Sequence, residues 1–160
     1  MAQFDVNRKP TTIDVVELVD NMRPADRKEC ELATGMDASG AVQISIGFSS
    51  YVAAVRVDGR LACIYGVCPS VLDPRVGIPW MLGTPEMDKW PVVIMKVSKA
   101  CVEDMLKVYH ELINWVHADN KRAIAWLKHL GFEVGEPAPY GPRNAQFCQF
   151  RQRRRIQIYV

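Results

Sequence analysis

The sequence predicts an α+β domain in which helices and strands alternate and pack on one central mixed sheet of about six to seven strands. Three observations carry this. The chain has 160 residues, 49% of them hydrophobic, enough for one core of ordinary size. Two apolar runs, "YVAAVRV" and "RLACIYGV", meet at Asp58-Gly59, a pair suited to the positive φ angles of a tight hairpin. From about 76 to 136 the pattern runs strand, long helix, strand, short helix, strand, and such crossovers imply some parallel pairing. No Pro- or Ser-rich linker, repeat or low-complexity tract divides the chain, so a single domain over 1–160 is expected.

The elements follow in order. "TTIDVVELVDNM" opens on a Thr cap and spaces Ile13, Val16 and Val19 or Leu18 as a buried helix face would. In "RPADRKECELATG", Pro24 suits a first turn, Asp26 and Glu29 favour the positive helix start, and Gly35 suits the stop. "DASGAVQISIGFSS" reads as a third helix capped by Asp37 or Ser39, although Val42, Ile44 and Ile46 also suit a strand. After the hairpin, "VGIPWMLGT" is a strand. Pro79 lacks a backbone donor, so one side of that strand is unpaired or bulged there. "PVVIMKVSKACVEDMLKVY" is a long helix with a buried stripe of Val93, Val97, Cys101, Met105 and Val108. "ELINWVH" is a strand, "NKRAIAWLKHLG" a short helix capped by Asn120, and "FEVGE" and "AQFCQFRQR" close the sheet around the loop "PAPYGPRN".

Composition excludes several classes. No apolar run approaches the ~20 residues of a membrane helix, and "MAQFDVNRKP" lacks the apolar core of a secretory signal, so an intracellular protein is expected. Five scattered cysteines have no zinc-ligand spacing, which predicts free thiols buried as small hydrophobes and no metal site. The net charge of +2 hides a polarity: the first 40 residues are acidic, while the chain ends in "FRQRRRIQIYV". Arg151, Arg153, Arg154 and Arg155 are either a solvated strand end or a contact for nucleic acid or another polyanion.

The order of elements, together with Asn120, Ala123, Leu130, Gly131 and Phe132, resembles the GNAT superfamily of N-acetyltransferases. Within it, the blocks "MRPADRKE", "WMLGT", "ELINWVHADNKRAIAWLKHLGFEV" and "YGPRNAQFCQF" resemble a small family of T7-like bacteriophages, described as internal virion or core proteins and acetyltransferase-like proteins. The superfamily resemblance implies acetyl-coenzyme A bound where the fourth and fifth strands splay. Met81, Leu82, Thr84 and Asn120 would then be cofactor contacts, Asn120 equally a plain helix cap.

Against that pattern, "GTPEMDKWP" stands where a glycine-rich pyrophosphate turn is expected. It brings Glu86 and Asp88 in place of glycines, and two prolines without donors. The strand "VGIPWMLG" offers no carboxylate as base, and Leu127 stands where the resemblance implies a proton-donating Tyr. Glu86, Asp88 and Tyr140 remain the candidate catalytic groups.

The leading expectation is a catalytically degenerate protein of this fold, with a structural or assembly role in or on a phage virion. It would bind no cofactor, contact other virion proteins and reach DNA through its basic end. Its place would be the virion or the host cytoplasm. The alternative is an active acyl-coenzyme A-dependent N-acetyltransferase modifying a host or phage protein. The degenerate reading also expects the cleft to be filled by the protein's own side chains or a partner segment, with the loop 84–91 closed over the fourth strand.

Overall fold

A computed structural model describes residues 1–156 and 158. Seven strands form one sheet: β1 (Phe4–Asn7), β2 (Tyr51–Val57), β3 (Arg60–Pro69), β4 (Val76–Gly83), β5 (Glu111–His117), β6 (Glu133–Tyr140) and β7 (Ala145–Arg153). Their spatial order is β1-β2-β3-β4-β5-β7-β6. Every neighbouring pair is antiparallel except β4–β5, which is parallel. This mixed sheet is the predicted class. The short edge strand β1, beside β2, was not legible in the polar sequence "FDVN".

Three helices, α1 (Thr12–Asn21), α2 (Pro24–Thr34) and α3 (Ala38–Phe48), precede the hairpin. They build one core, in which Leu18, Cys30, Ala41 and Val42 pack with Ala54, Leu61 and Ile64 of the sheet. The helices α4 (Pro91–Val108) and α5 (Lys121–His129) belong to a second core with Val55, Tyr65 and Leu112. The sheet's alternating side chains feed both cores, so consecutive residues such as Ile64 and Tyr65 fall into different ones.

Local chemistry explains the ends. Thr11 and Asp14 form a capping box at α1. Pro24 starts α2, and Gly35, at φ 72°, ends it in the left-handed conformation. Asp37 caps α3, which settles the helix-or-strand ambiguity there. Asp58 (φ 48°) and Gly59 (φ 78°) make the predicted hairpin turn.

Two helix faces differ from expectation. On α1, Ile13 and Val16 are exposed, and Asp14 and Leu18 are buried. Arg56 on β2 reaches Asp14 and Glu17 and draws the polar edge of the helix inward. On α4 the buried stripe is Ile94, Ser98, Val102 and Met105, rotated from the predicted one, and Val108 is 70% exposed. The row Ile94, Ser98, Val102 and Met105 follows helical spacing toward the sheet, so Val93 and Val97 fall beside it and are half-buried. Among the described residues no helix is long and apolar enough to cross a membrane, and no cluster of metal-ligating side chains occurs. All five cysteines are free.

Candidate functional site

The parallel pair β4–β5 holds only at its start, where Val76 faces Glu111 and Gly77 faces Leu112. Beyond this the strands diverge into a V. A cavity of about 740 Å³ fills the V, with walls from both faces of the sheet. The cleft is therefore open, contrary to the expectation that side chains would fill it. The cause lies at the apex. Gly77 leaves no room for even a Cβ, which would sit 2.8 Å from Tyr109 and 2.9 Å from Leu112. Further along, Asn114 props the strands apart, donating to the Pro79 carbonyl (2.8 Å) and accepting from the Trp115 N–H (2.8 Å).

The register of β3 with β4 shows which backbone groups face the gap. Thr84 N–H bonds back to Ala62, whereas Gly83 N–H turns to Asp26 (2.8 Å). By antiparallel alternation Pro79, Met81 and Gly83 direct their backbone toward β5. The missing donor of Pro79 thus falls on the unpaired side, as its sequence position predicts. The Gly83 carbonyl accepts from Arg23 N–H (2.9 Å). Met81, between these anchored residues, has no β5 residue opposite it and presents an N–H and a C=O to the cavity.

On the face carrying α2, Glu29 reaches into the wide end of the V. Its Oε1 accepts from His117 N–H (3.0 Å) and from Asn120 Nδ2 (3.0 Å), while Oε2 has no hydrogen-bond partner among the described residues and Glu29 lines the cavity. Burial pushes its carboxyl above the ordinary value, against the pull of those two donors. Asp26, also raised by burial, is engaged by Arg23 and the Gly83 N–H. Trp115 and Tyr140 stack at 4.7 Å and line the cavity near Phe147, and burial raises the Tyr140 phenol.

On the opposite face, Ile94, Ser98, Cys101 and Met105 of α4 line the cavity. Ile94 to Met105 covers 12 residues, about 16 Å of helix. The Ser98 hydroxyl is buried there without a hydrogen-bond partner. Tyr65, opposite Met81 on β3, lines the cavity near Cys101, and burial strongly raises its phenol. Helix α5 has no fully buried residue: Ala123, Trp126 and Leu127, with Leu130 at its C-terminal cap, pack against the edge of the second core and line the cavity.

The predicted site residues divide. Met81, Leu82, Asn120, Asp88 and Tyr140 all line the cavity. Asn120 does both things expected of it: its Oδ1 caps α5 at Ala123 (3.2 Å) while its amide holds Glu29. Thr84 is buried, donates to the Leu61 carbonyl (2.6 Å) and caps the 3-10 turn, so it holds the corner at the end of β4. Glu86 lies outside the lining and is tied to Lys89 (2.9 Å) and Trp90 (3.4 Å). Asp88 sits at the mouth between Arg23 (2.9 Å) and Arg122 (3.1 Å). The loop 84–91 tucks Met87 against Gly83 and Trp90 edge-on to Phe4 (5.7 Å), without closing the cavity.

At the other end of the chain, Arg151 and Arg153 approach Glu111, Arg154 caps the α4 carbonyls of Leu106 and Lys107, and Arg155 is exposed.

Glu29 and Asn114 went unread in the sequence as site residues. Asp26, Glu29, Cys30 and Ala33 share one face of α2, so two carboxylates stand on the inward stripe of a helix. That is a signal a helical wheel displays. Asn114 likewise interrupts an otherwise apolar strand centre.

The sequence matches no family model and no curated protein. Its fold does match solved structures. An N-acetyltransferase from Staphylococcus aureus Mu50 superposes with a TM-score of 0.69 at 9% identity, over 96% of this chain and 99% of that one. The ribosomal-protein-S18-alanine N-acetyltransferase of Escherichia coli gives 0.64 at 13% identity, over 99% and 100%. An acetyltransferase of Bacillus subtilis, in complex with CoA, gives 0.64 at 9% identity, over 96% and 99%. The fold is that of the GNAT acetyltransferases.

Proposed function

We propose, from an acetyltransferase fold whose β4–β5 gap is open, that this chain is an acyl-coenzyme A-dependent N-acyltransferase with Glu29 as its base. The observation that carries the reading is the Glu29 carboxylate, desolvated inside the gap with Oε2 unengaged. The residues present fit the donor's pantetheine arm. The free N–H and C=O of Met81 suit an amide laid along β4 as an added strand, and the orphaned Ser98 hydroxyl suits a second polar group of the same arm. When bound, acyl-coenzyme A supplies an activated thioester.

The chain supplies the rest. Oε2 of Glu29 takes the proton of an amine entering between α2 and the Trp115–Tyr140 wall, and the raised affinity of Glu29 for a proton strengthens it as a base. His117 N–H and the Asn120 amide hold its orientation. Leu127 offers no ionisable proton; on the α4 face the Tyr65 phenol beside Met81 stays neutral, and burial makes it a weak acid, so it serves as a hydrogen-bond donor. Calorimetry with acetyl-coenzyme A tests the reading. Micromolar binding, about −8 kcal/mol, that is retained in Glu29→Gln while acyl transfer to amines is lost supports it; absence of binding sinks it.

A second reading is favoured by the 3-10 turn. Pro85–Lys89 stands in place of a glycine cradle and brings Asp88 to the mouth, with Glu86 just outside the lining. On this reading the fold is a silent scaffold in or on a phage particle, held by other virion proteins, with the basic C-terminal strand toward DNA. Salt-dependent DNA binding that falls when Arg151, Arg153, Arg154 and Arg155 are replaced by Ser, in a protein blind to acetyl-coenzyme A, is the result it requires.

A further inference from the structure

On the face carrying α2 and α3 the cavity forms a lobe with an aromatic wall on each arm of the V. Trp80 stands on β4, its Nε1–H donating to the Ser49 hydroxyl (2.8 Å). Trp115 stands on β5, stacked on Tyr140 at 4.7 Å with 17° between the rings. Phe147 backs Tyr140 at 5.3 Å. The helices bring short side chains to this lobe, Ala33 from α2 and Ala41 and Ser45 from α3.

Size limits what enters. Helix α2 lies across the wide end of the V as a bar fixed at both ends. At one end Arg23 N–H donates to the Gly83 carbonyl and Asp26 accepts the Gly83 N–H. At the other end the β6–β7 turn packs on the helix. Gly141, at φ 78°, lies too close to the Leu32 carbonyl for any Cβ, and a Cβ on Gly35 would sit 3.2 Å from Pro142. The whole cavity of about 740 Å³ is the size of one drug-sized ligand site, roughly 300–1,000 Å³, and the donor's arm must share it.

Charge limits it further. Among the described residues lining the cavity the carboxylates are Asp26, Glu29 and Asp88, and the cations are Arg23 and Arg122. Arg23 pairs with Asp26 and Asp88, and Arg122 with Asp88, so Glu29 is left over. Arg143, on the β6–β7 turn, is exposed and outside the lining. An incoming ammonium group has a partner here and an incoming carboxylate has none, and burying an unpaired carboxylate is costly.

We infer that the acceptor is a small amine carrying one positive charge and a flat aromatic body. The ring lies against the Trp115–Tyr140 wall, the nitrogen reaches Glu29, and amino acids and peptide chains are excluded. This rests on the transferase reading and adds to it the class of the acceptor. In the transfer an ammonium group and a thioester yield an amide, a thiol and one proton, which leaves through Glu29.

The probe is 2-phenylethylamine. Phenylalanine adds only a carboxylate, 2-cyclohexylethylamine removes only the flatness, and an amidated tetrapeptide beginning with Phe extends the chain. Calorimetry, with and without coenzyme A present, reads amine binding, and thiol release from acetyl-coenzyme A reads transfer. Tyr140→Ala and Tyr140→Phe probe the wall. Tyr140 is the half-buried last residue of β6, and thermal midpoints close to wild type verify folding.

The expected result is binding of 2-phenylethylamine about tenfold or more tighter than of the other three compounds. Tyr140→Ala should lose about tenfold and Tyr140→Phe should lose nothing, with acetyl-coenzyme A affinity unchanged in both. Equal binding of phenylalanine or the peptide overturns the proposal, and so does a folded Tyr140→Ala protein that binds the amine as the wild type does. The comparison of the four compounds on the wild type decides the matter without any variant. If acetyl-coenzyme A binds and Glu29-dependent transfer reaches the peptide as readily as 2-phenylethylamine, the inference falls and the transferase reading stands. If 2-phenylethylamine is preferred but acetyl-coenzyme A does not bind, the amine lobe stands and the transferase reading falls.

Discussion

At the residue scale, a few polar atoms inside the sheet gap carry the chemistry. Glu29 combines burial, a fixed Oε1 and an unengaged Oε2. Glu29→Gln keeps both acceptor contacts at Oε1 and removes the base, so acyl transfer should fall by about 100-fold or more with donor affinity unchanged, as steady-state kinetics and calorimetry would show. Transfer by the wild type should rise with pH through a value above the ordinary one for Glu, since only the ionised group accepts a proton. Stability runs the other way. The folded chain holds the Glu29 proton more tightly than the unfolded chain does, so its contribution is greatest at low pH and is lost as pH rises through the raised folded value. Glu29→Gln should therefore gain on the wild type from about pH 4 upward in urea denaturation; a difference flat in pH would contradict this.

Ser98 permits a second test at this scale. Its hydroxyl is buried and unpartnered, and such a group costs about 1–3 kcal/mol. Ser98→Ala should leave the ligand-free protein as stable as the wild type or more so, while weakening acetyl-coenzyme A. Loss of stability without loss of affinity would show that the hydroxyl belongs to the core.

At the element scale, helix ends fix where these side chains point. Asn120 joins the two levels, since one amide caps α5 and orients Glu29 of α2. The Thr11–Asp14 capping box does the same for α1, and Asp14 continues to Arg56 on β2. Burial tends to raise the Asp14 carboxyl, but the Thr11 N–H and Arg56 outweigh it and hold the group below its ordinary value. Thr11→Ala should cost about 1 kcal/mol, seen as a drop of about 2–4 °C in the melting midpoint, with no effect on acetyl-coenzyme A binding. A change in binding would mean that α1 moves with the cleft.

At the scale of the whole molecule, the site is a defect in a sheet. Two antiparallel blocks, β1–β4 and β5–β7–β6, meet through one short parallel contact and part beyond it. Gly77 sets the closeness of that contact. Gly77→Ala puts a methyl within 2.9 Å of Tyr109 and Leu112, and overpacking of this kind costs about 1–3 kcal/mol. The same wedge alters the angle of the V, so donor affinity should fall together with stability. Unchanged affinity in a destabilised Gly77→Ala protein would show that the gap geometry is set elsewhere, at Asn114.

Local information along the chain determined most element types, their order and the mixed sheet, but neither the edge strand β1 nor the run of β6 on to Tyr140, which was expected as loop. Thr11, Pro24, Gly35, Asp37, Asp58-Gly59 and Asn120 each act within a few residues of themselves, and short-range hydrogen bonds and φ preferences suffice to read them. The same reading placed Met81, Leu82, Asp88, Asn120 and Tyr140 in the region that became the cavity.

Only the tertiary structure decided whether the cleft is filled or open, which face of α4 is buried, and which carboxylate enters the gap. Glu29 meets His117 and Asn120 across 88 and 91 residues, and Arg23 meets Asp88 across 65. Such contacts depend on how far β4 and β5 diverge, a property of the packed sheet that no local pattern encodes. The carboxylates of "PEMDK" repel a phosphate when considered alone. Folded, one of them is neutralised between two arginines, and the charge that matters belongs to the cluster.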